Sequence, residues 1–331
     1  MDAQVFTESE RIGDLIRTRN PELRELPDFF IGKEEVPDQN FSYTLSSEFT
    51  ISGKATFENK DSKIRVSPAL GKRSSFTFGD HRYELNPSLC HKGNHNIQLG
   101  EIKIIEHPLA WLLAFGIYAD FELSESSFPT FDYCDLPYLE GMRGNLRKGS
   151  ERPKISVSSP FAMVWEKGYC ILEPGDSDSL VLDHQVAYPG NTIGNARIRL
   201  EFRPETFSYF ADARTTAFRT KKDAEGFYQL GLAGGLKDYP FTLENILLLD
   251  EEKIYNPRKK YFDPVTNFDY EFLCHEAIDI ASWLRFVEEE YQGRFVGRMT
   301  TFLFDHHKQI DIAKFACDRE KMEEAGLKIL R

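Results

Sequence analysis

Ten consecutive residues, 109–118 (LAWLLAFGIY), carry no charge, and Glu106-His107-Pro108 stands immediately before them. The run is roughly half the ~20 residues a bilayer crossing needs, so the rest of the chain has to cover it. Pro108 suits the first helical position, where its missing N–H would be unpaired anyway. The segment predicts a buried helix starting at Pro108, entered from a strand over 101–105 and ended by Gly116-Ile117-Tyr118, with a strand resuming over 121–123. Glu106 and His107 then sit at a strand-to-helix junction.

Short strand-like runs surround this helix. They lie at 43–45, 49–51, 64–66 and 75–78, punctuated by Gly53, Pro68 and Gly71. Residues 142–153 (MRGNLRKGSERP) are polar and basic without apolar periodicity and read as a linker. Strands recur at 154–157, 163–165 and 196–202, followed by a helix from Pro204 and an apolar strand over 243–249. A helix over 270–289, a strand over 294–304 and a helix over 305–325 complete the chain. Each half is strands plus one or two helices, an α+β pattern rather than βαβ repeats. A chain of 331 residues is long enough for about two domains. The expected division is an N-terminal extension 1–40, a first α+β domain 41–148 and a second 149–331. Within the extension, residues 8–17 have a weak helical pattern (Ile12, Leu15, Ile16), and Pro21, Pro27 and Pro37 interrupt the remainder.

Charge narrows the function. Lys and Arg number 41 against 53 Asp and Glu, a net of −12. A global basic footprint for nucleic acid is absent, and a phosphorylated ligand would need local basic patches. The five cysteines show no CxxC spacing; they read as reduced thiols of a cytosolic protein, not a thiolate zinc site. The acidic, polar start (MDAQVFTESER) lacks the features of a secretory signal, so a cytoplasmic location is expected.

Four groups of residues could carry chemistry. His275 and Asp279 are i and i+4 on a helix, so imidazole and carboxylate share a face and could hold one metal ion; the alternative is a surface His–Asp hydrogen bond. Glu106-His107 could add a base and a third ligand, or be a solvent-facing pair favoured by the helix dipole. Ala213-Arg214-Thr215-Thr216-Ala217-Phe218 offers hydroxyls or an ordinary loop, and Phe128-Pro129-Thr130-Phe131-Asp132-Tyr133 offers a carboxylate or a buried turn.

Taken in this order, the segments resemble one family, the UDP-3-O-acyl-N-acetylglucosamine deacetylases of lipid A synthesis (the LpxC family). Ile104-Ile105-Glu106-His107-Pro108-Leu109-Ala110 through Phe115-Gly116-Ile117 is similar to that family's T-V-E-H-L-L-A-A-L-x-G-L-G-I-D-N. Phe128 to Asp132, with Pro137-Tyr138 after it, is similar to I-P-x-M-D-G-S-A-x-P-F, and Ala213-Arg214-Thr215 to A-R-T-F-G-F. Asn256-Pro257, Asp269-Tyr270-Glu271-Phe272 and His275-x-x-x-Asp279 are similar to N-x-x-G-L-R-x-x-D-E-F-V-R-H-K-x-L-D. Thr44-Leu45 and Ser52-Gly53 echo the opening T-L…T-G. The likeness covers about residues 41–318.

The resemblance implies two domains, each a β-sheet with a helical layer, packed helices-inward around a zinc site. Zinc would be held by His107, His275 and Asp279, with the fourth position left to water as in catalytic sites. Glu106 would take the proton of that water, and Thr215 would donate a hydrogen bond to the oxyanion. Several positions depart from the family, among them Tyr133-Cys134, where it has Gly-Ser after its Asp. Its catalytic His in G-H-x-x-N falls, without gaps, at Phe302; His306 and His307 follow four and five residues later, and His306 is carried as the catalytic candidate. The family's carboxylate orienting that His falls at Trp283, its lysine after the first helical ligand at Glu276, and an early His at Phe57. The implied activity is zinc-dependent deacetylation of an acylated or nucleotide-linked amino sugar. The alternative is a weakened zinc-binding homologue that binds a ligand or a protein. The implied partners are a small-molecule substrate, no nucleic acid and no membrane span, with peripheral membrane contact and a protein partner for residues 1–40 left open.

Overall fold

A computed structural model describes residues 3–19, 24–26, 36–129, 135–175 and 178–331. Two seven-stranded sheets dominate it. In the first, the spatial order is Leu146–Glu151, Phe41–Leu45, Ile117–Leu123, Asp61–Pro68 and Phe49–Lys54; Ser75–Phe78 also pairs with Ile117–Leu123 and carries His81–Glu84 at its side. Side chains alternate along Asp61–Pro68, which buries Ile64 and Val66 while turning Lys63 and Arg65 to solvent. In the second, the order is Gln4–Phe6, Phe161–Val164, Tyr169–Glu173, Gly297–Phe302, Leu180–Tyr188, Gly194–Phe202 and Arg24–Glu25.

The helices are α1 (Ser9–Arg19), α2 (Glu106–Phe115), α3 (Leu136–Met142), α4 (Pro204–Phe210), α5 (Lys221–Leu232), α6 (Glu271–Ala281), α7 (Leu284–Tyr291), α8 (His306–Cys317) and α9 (Arg319–Glu324). Residues 109–115 of the charge-free run form the body of α2 as expected, while Ile117 and Tyr118 open the strand Ile117–Leu123; nine of the ten residues of α2 are buried, His107 being the exception. The helix begins at Glu106, two residues before Pro108; proline still lies in the first turn, where no intrahelical acceptor exists for its N–H. Gly116 closes it in the left-handed conformation (φ 62°), donating to Leu112 O and Leu113 O. Helix α2 packs on α4, α6 and α7, and α6 on α8, so the helical layers of the two sheets meet in one continuous core. Arg285 of α7, fully buried, fastens the contact by donating to Leu112 O (3.3 Å) and Ile117 O (2.6 Å) of the first half and to Glu289.

Three expectations are corrected. The basic segment read as a linker forms the outer strand Leu146–Glu151 of the first sheet, pairing Leu146 with Leu45. Its side chains are almost all exposed, which suits a charged edge strand and leaves no alternation to read. The single helix expected over 270–289 is two, broken at Ser282 and Trp283. The one over 305–325 is also two, because Asp318 leaves helical geometry and caps α9 through Lys321 N. Among the described residues, no helix is long and apolar enough to cross a membrane.

Candidate active site

The site is assembled from the N-terminus of α2, the middle of α6 and the N-terminus of α8. Ahead of α2, Ile97 O accepts from Ile104 N (3.0 Å) and Ile105 N (3.3 Å). Ile104 is held at φ +65°, a conformation costing a branched residue about 1–2 kcal/mol. This tight turn swings Glu106 back so that its Oε2 accepts from Ile97 N at 3.0 Å. Glu106 is only 2% exposed.

Helix α6 presents His275 and Asp279 on one face, with Nε2 3.1 Å from Oδ2. The ring of His275 is fixed from behind: its Nδ1–H donates to Ala213 O at 2.9 Å. That carbonyl is itself held by a buried knot. Glu271 Oε1 accepts from Arg214 N and Nε, and Oε2 from Nη2, all at 2.8 Å. Arg214 Nη2 also reaches Pro257 O (3.0 Å), while Asn256 Nδ2 ties down Leu243 O (2.7 Å) and Ile246 O (2.9 Å). Four separate sequence segments thus interlock to aim one carbonyl at His275.

Helix α8 delivers His306, whose Nε2 lies 3.6 Å from Asp279 Oδ2 and 3.7 Å from Glu106 Oε1. His307 is exposed and contacts Gly93 O (2.7 Å) instead. Phe302 ends its strand with its ring 5.7 Å from Tyr169. His107 completes the cluster, with Nδ1 3.6 Å from Asp279 Oδ1 and 3.8 Å from Asp135 Oδ2. Thr215 opens the strand Thr215–Phe218 two residues beyond Ala213, parallel to Ile246–Leu249. Thr130, Phe131 and Asp132 of the fourth motif lie outside the described residues.

Sequence reasoning missed Asp135 and His184. Asp135 is fully buried, and its one local signal is its place before the Pro-containing start of α3. His184, from the middle of a strand, hydrogen-bonds Thr301 Oγ1 (2.8 Å) and lies 3.8 Å from the carboxylate of Glu276. Burial pushes His184 down to about 4, so it is neutral. Burial, followed by the repulsion of Asp279, lifts Glu276 to about 7.

Charge is concentrated here in a largely buried pocket. Burial opposes ionisation of Asp279, yet the imidazoles of His275 and His107 outweigh it and hold the carboxyl well below the usual range. Burial would lower His107 and His306; the carboxylates of Asp279 and Asp135 lift the first to about 10, and those of Asp279 and Glu106 lift the second to about 9. Burial raises Glu106 against the pull of His306 and His107, the direction that suits a general base. His107 Nδ1, Asp279 Oδ1 and His306 Nε2 are buried without hydrogen-bond partners.

These residues fit a divalent cation. His275 donates from Nδ1, which leaves Nε2 facing the ionised Asp279 carboxylate at 3.1 Å, and the positive centre this arrangement needs is either a proton on Nε2 or a bound cation. The ligand atoms of His107, His275 and Asp279 all lie within 4.8 Å of one another. Two imidazoles and one carboxylate form a set used by catalytic zinc, with the backbone carbonyl behind His275 as outer-sphere support.

His107, His275 and Asp279, where the helical layers of the two sheets meet, form a group that could hold a metal ion. Comparison with known proteins gives the family. The model for "LpxC: UDP-3-O-acyl N-acetylglycosamine deacetylase" matches residues 42–311, and the chain belongs to this family. Three proteins named UDP-3-O-acyl-N-acetylglucosamine deacetylase are among its relatives. That of Lawsonia intracellularis is 35% identical over 276 residues, covering 76% of this chain and 82% of the relative. That of Synechocystis is 26% identical over 77% and 92%, and that of Leptospira biflexa 22% over 82% and 88%.

Proposed function

We propose that the protein is a zinc-dependent N-deacetylase acting in the cytoplasm on an acylated, nucleotide-linked amino sugar, in the manner its relatives' names describe. The boundary expected at 148/149 would cut the strand Leu146–Glu151, so the two domains would be 41–151 and 152–331, with the strands of the extension added to the second. The observation that carries the reading is the convergence of His107, His275 and Asp279, whose ligand atoms lie within 4.8 Å of one another in a pocket where His107 Nδ1, Asp279 Oδ1 and His306 Nε2 have no hydrogen-bond partner. His107, His275 and Asp279 would hold the zinc. Bound zinc supplies Lewis acidity towards water and a carbonyl oxygen. Glu106, oriented by Ile97 N, takes the proton of the attacking water. His306, between Glu106 and Asp279, gives a proton to the leaving amine. Thr215 donates a hydrogen bond to the oxyanion. Glu276 and Phe57, where the resemblance places a lysine and a histidine, remove positive groups and favour a substrate other than the usual anionic UDP-acyl-sugar.

The test is metal content and hydrolysis on one set of samples. Wild type carries about one zinc per chain and His275→Ala carries little. Glu106→Gln keeps zinc and loses about 10²–10⁴ in deacetylation, the range of a general base. Equal trace metal in wild type and His275→Ala would refute the ligand set. A stoichiometric zinc with no turnover on UDP-3-O-acyl-N-acetylglucosamine or simple N-acetyl sugars would favour the ligand-binding alternative.

A further inference from the structure

The family match begins at residue 42, yet two segments ahead of it, Gln4–Phe6 and Arg24–Glu25, are strands of the second sheet. Gln4–Phe6 pairs antiparallel with Phe161–Val164, setting Phe6 opposite Ala162. Arg24–Glu25 pairs in parallel with Ala196 and Arg197 at the opposite edge. Both outermost strands therefore come from the extension. Near them, α1 lays Ile12 (5% exposed) and Leu15 (8%) on the outer face, in a cluster with Ala162, Val164, Tyr169, Ile171 and Phe302. Leu303 packs at the rim of this cluster.

Phe302 and Leu303 are the last residues before the turn that delivers His306. Leu303 sits at φ +46°, a strained conformation that its surroundings have to impose. Its N donates to Gln185 O (3.1 Å) and its carbonyl accepts from Lys308 Nζ. Beneath it, Gly168 runs so close that a Cβ would meet Phe302 O at 2.3 Å and Leu303 O at 2.6 Å. Asp305 then caps α8 through Lys308 N (3.1 Å), and His306 follows. Hydrogen bonds hold the turn from the cleft side, and the apolar cluster under α1 holds it from the other.

We propose that α1 is a positioning element for His306: Ile12 and Leu15, acting through Phe302 and the Leu303 turn, keep the imidazole beside Asp279 and Glu106. The proposal rests on the hydrolytic reading above only for its kinetic readout. The experiment uses the full chain carrying Ile12→Ala and Leu15→Ala together, with Leu15→Ala alone as the milder variant. Zinc content and KM stay within about twofold while kcat falls at least about tenfold, since displacements near 1 Å cost up to about 10²-fold. The His306 imidazole signal in 1H–15N spectra shifts, and that of His184 does not. Refilling the space with Ile12→Val and Leu15→Met restores both. In a His306→Ala background the alanine pair lowers kcat no further, because groups acting as a unit are not additive. An unmoved His306 signal, or a full further loss in the His306→Ala background, overturns the proposal and leaves α1 a cover alone. If wild type hydrolyses no amide, the functional reading fails, and the His306 signal still decides this one.

Discussion

Replacing Glu271 with alanine removes three hydrogen bonds and one charge from a place where water does not reach. The side chains of Arg214 and Glu271 are 3% and 0% exposed. Deleting one partner of such a pair leaves the other charge buried and unpaired, at a cost of about 3–5 kcal/mol. At roughly 2–4 °C per kcal/mol for a larger domain, the melting temperature should fall by about 10 °C. The damage should also reach the metal. Glu271 Oε1 holds Arg214 N, one residue from the carbonyl that orients His275, so zinc affinity should drop by about 10–100-fold, the usual effect of losing outer-sphere support. Calorimetry of the metal-free protein and competition against a chelator read the two effects separately. Glu271→Gln, which keeps an acceptor and the shape, should fall between wild type and Glu271→Ala in both. If Glu271→Ala melts within about 2 °C of wild type and competes equally well for zinc, the knot is not what holds His275.

Two more outcomes are expected at sites away from the proposed zinc ligands. Burial works against ionised Glu58, but the hydroxyls of Ser127 and Ser126 and the ammonium of Lys103 outweigh it and bring the carboxyl from near 4.5 to about 2. Its folded pKa is the lower one, so its stabilisation is complete above pH 4.5 and is lost as pH falls through about 2. The gap in melting temperature between wild type and Glu58→Gln should therefore close over that interval; a gap independent of pH would contradict the assignment. Gly168→Ala places a Cβ against two backbone carbonyls at φ +104°, so it should destabilise by about 1–3 kcal/mol and lower turnover more than zinc content. A fully active Gly168→Ala protein with wild-type melting would show that the turn before His306 tolerates movement.

Parts of the fold were readable because they depend on spacing along a single element. The charge-free run 109–118 had to be a buried helix or nothing, and α2 is buried on every side but one. The break at Ser282 was invisible, because apolar residues continue through it and the backbone only tightens there, with Ser282 N donating to Asp279 O (3.2 Å) and Arg285 N to Ser282 O (3.0 Å). The charged strand Leu146–Glu151 was equally hidden, since its pairing uses backbone groups that every residue has.

The chemistry divides in the same way. The partnership of His275 with Asp279 follows from 3.6 residues per turn, and the chain alone determines it once that segment is helical. The placement of Glu106 and His107 at the start of a helix follows from the proline behind them. The sequence could not choose between His306 and His307. Neighbours on a helix point about 100° apart, and only the packing of α8 decides which one faces Asp279 and which one Gly93. Asp135, His184 and the bracing strands of the extension belong to that second kind. Each is defined by what another part of the chain brings opposite it, and a linear pattern holds no trace of a neighbour that arrives through folding.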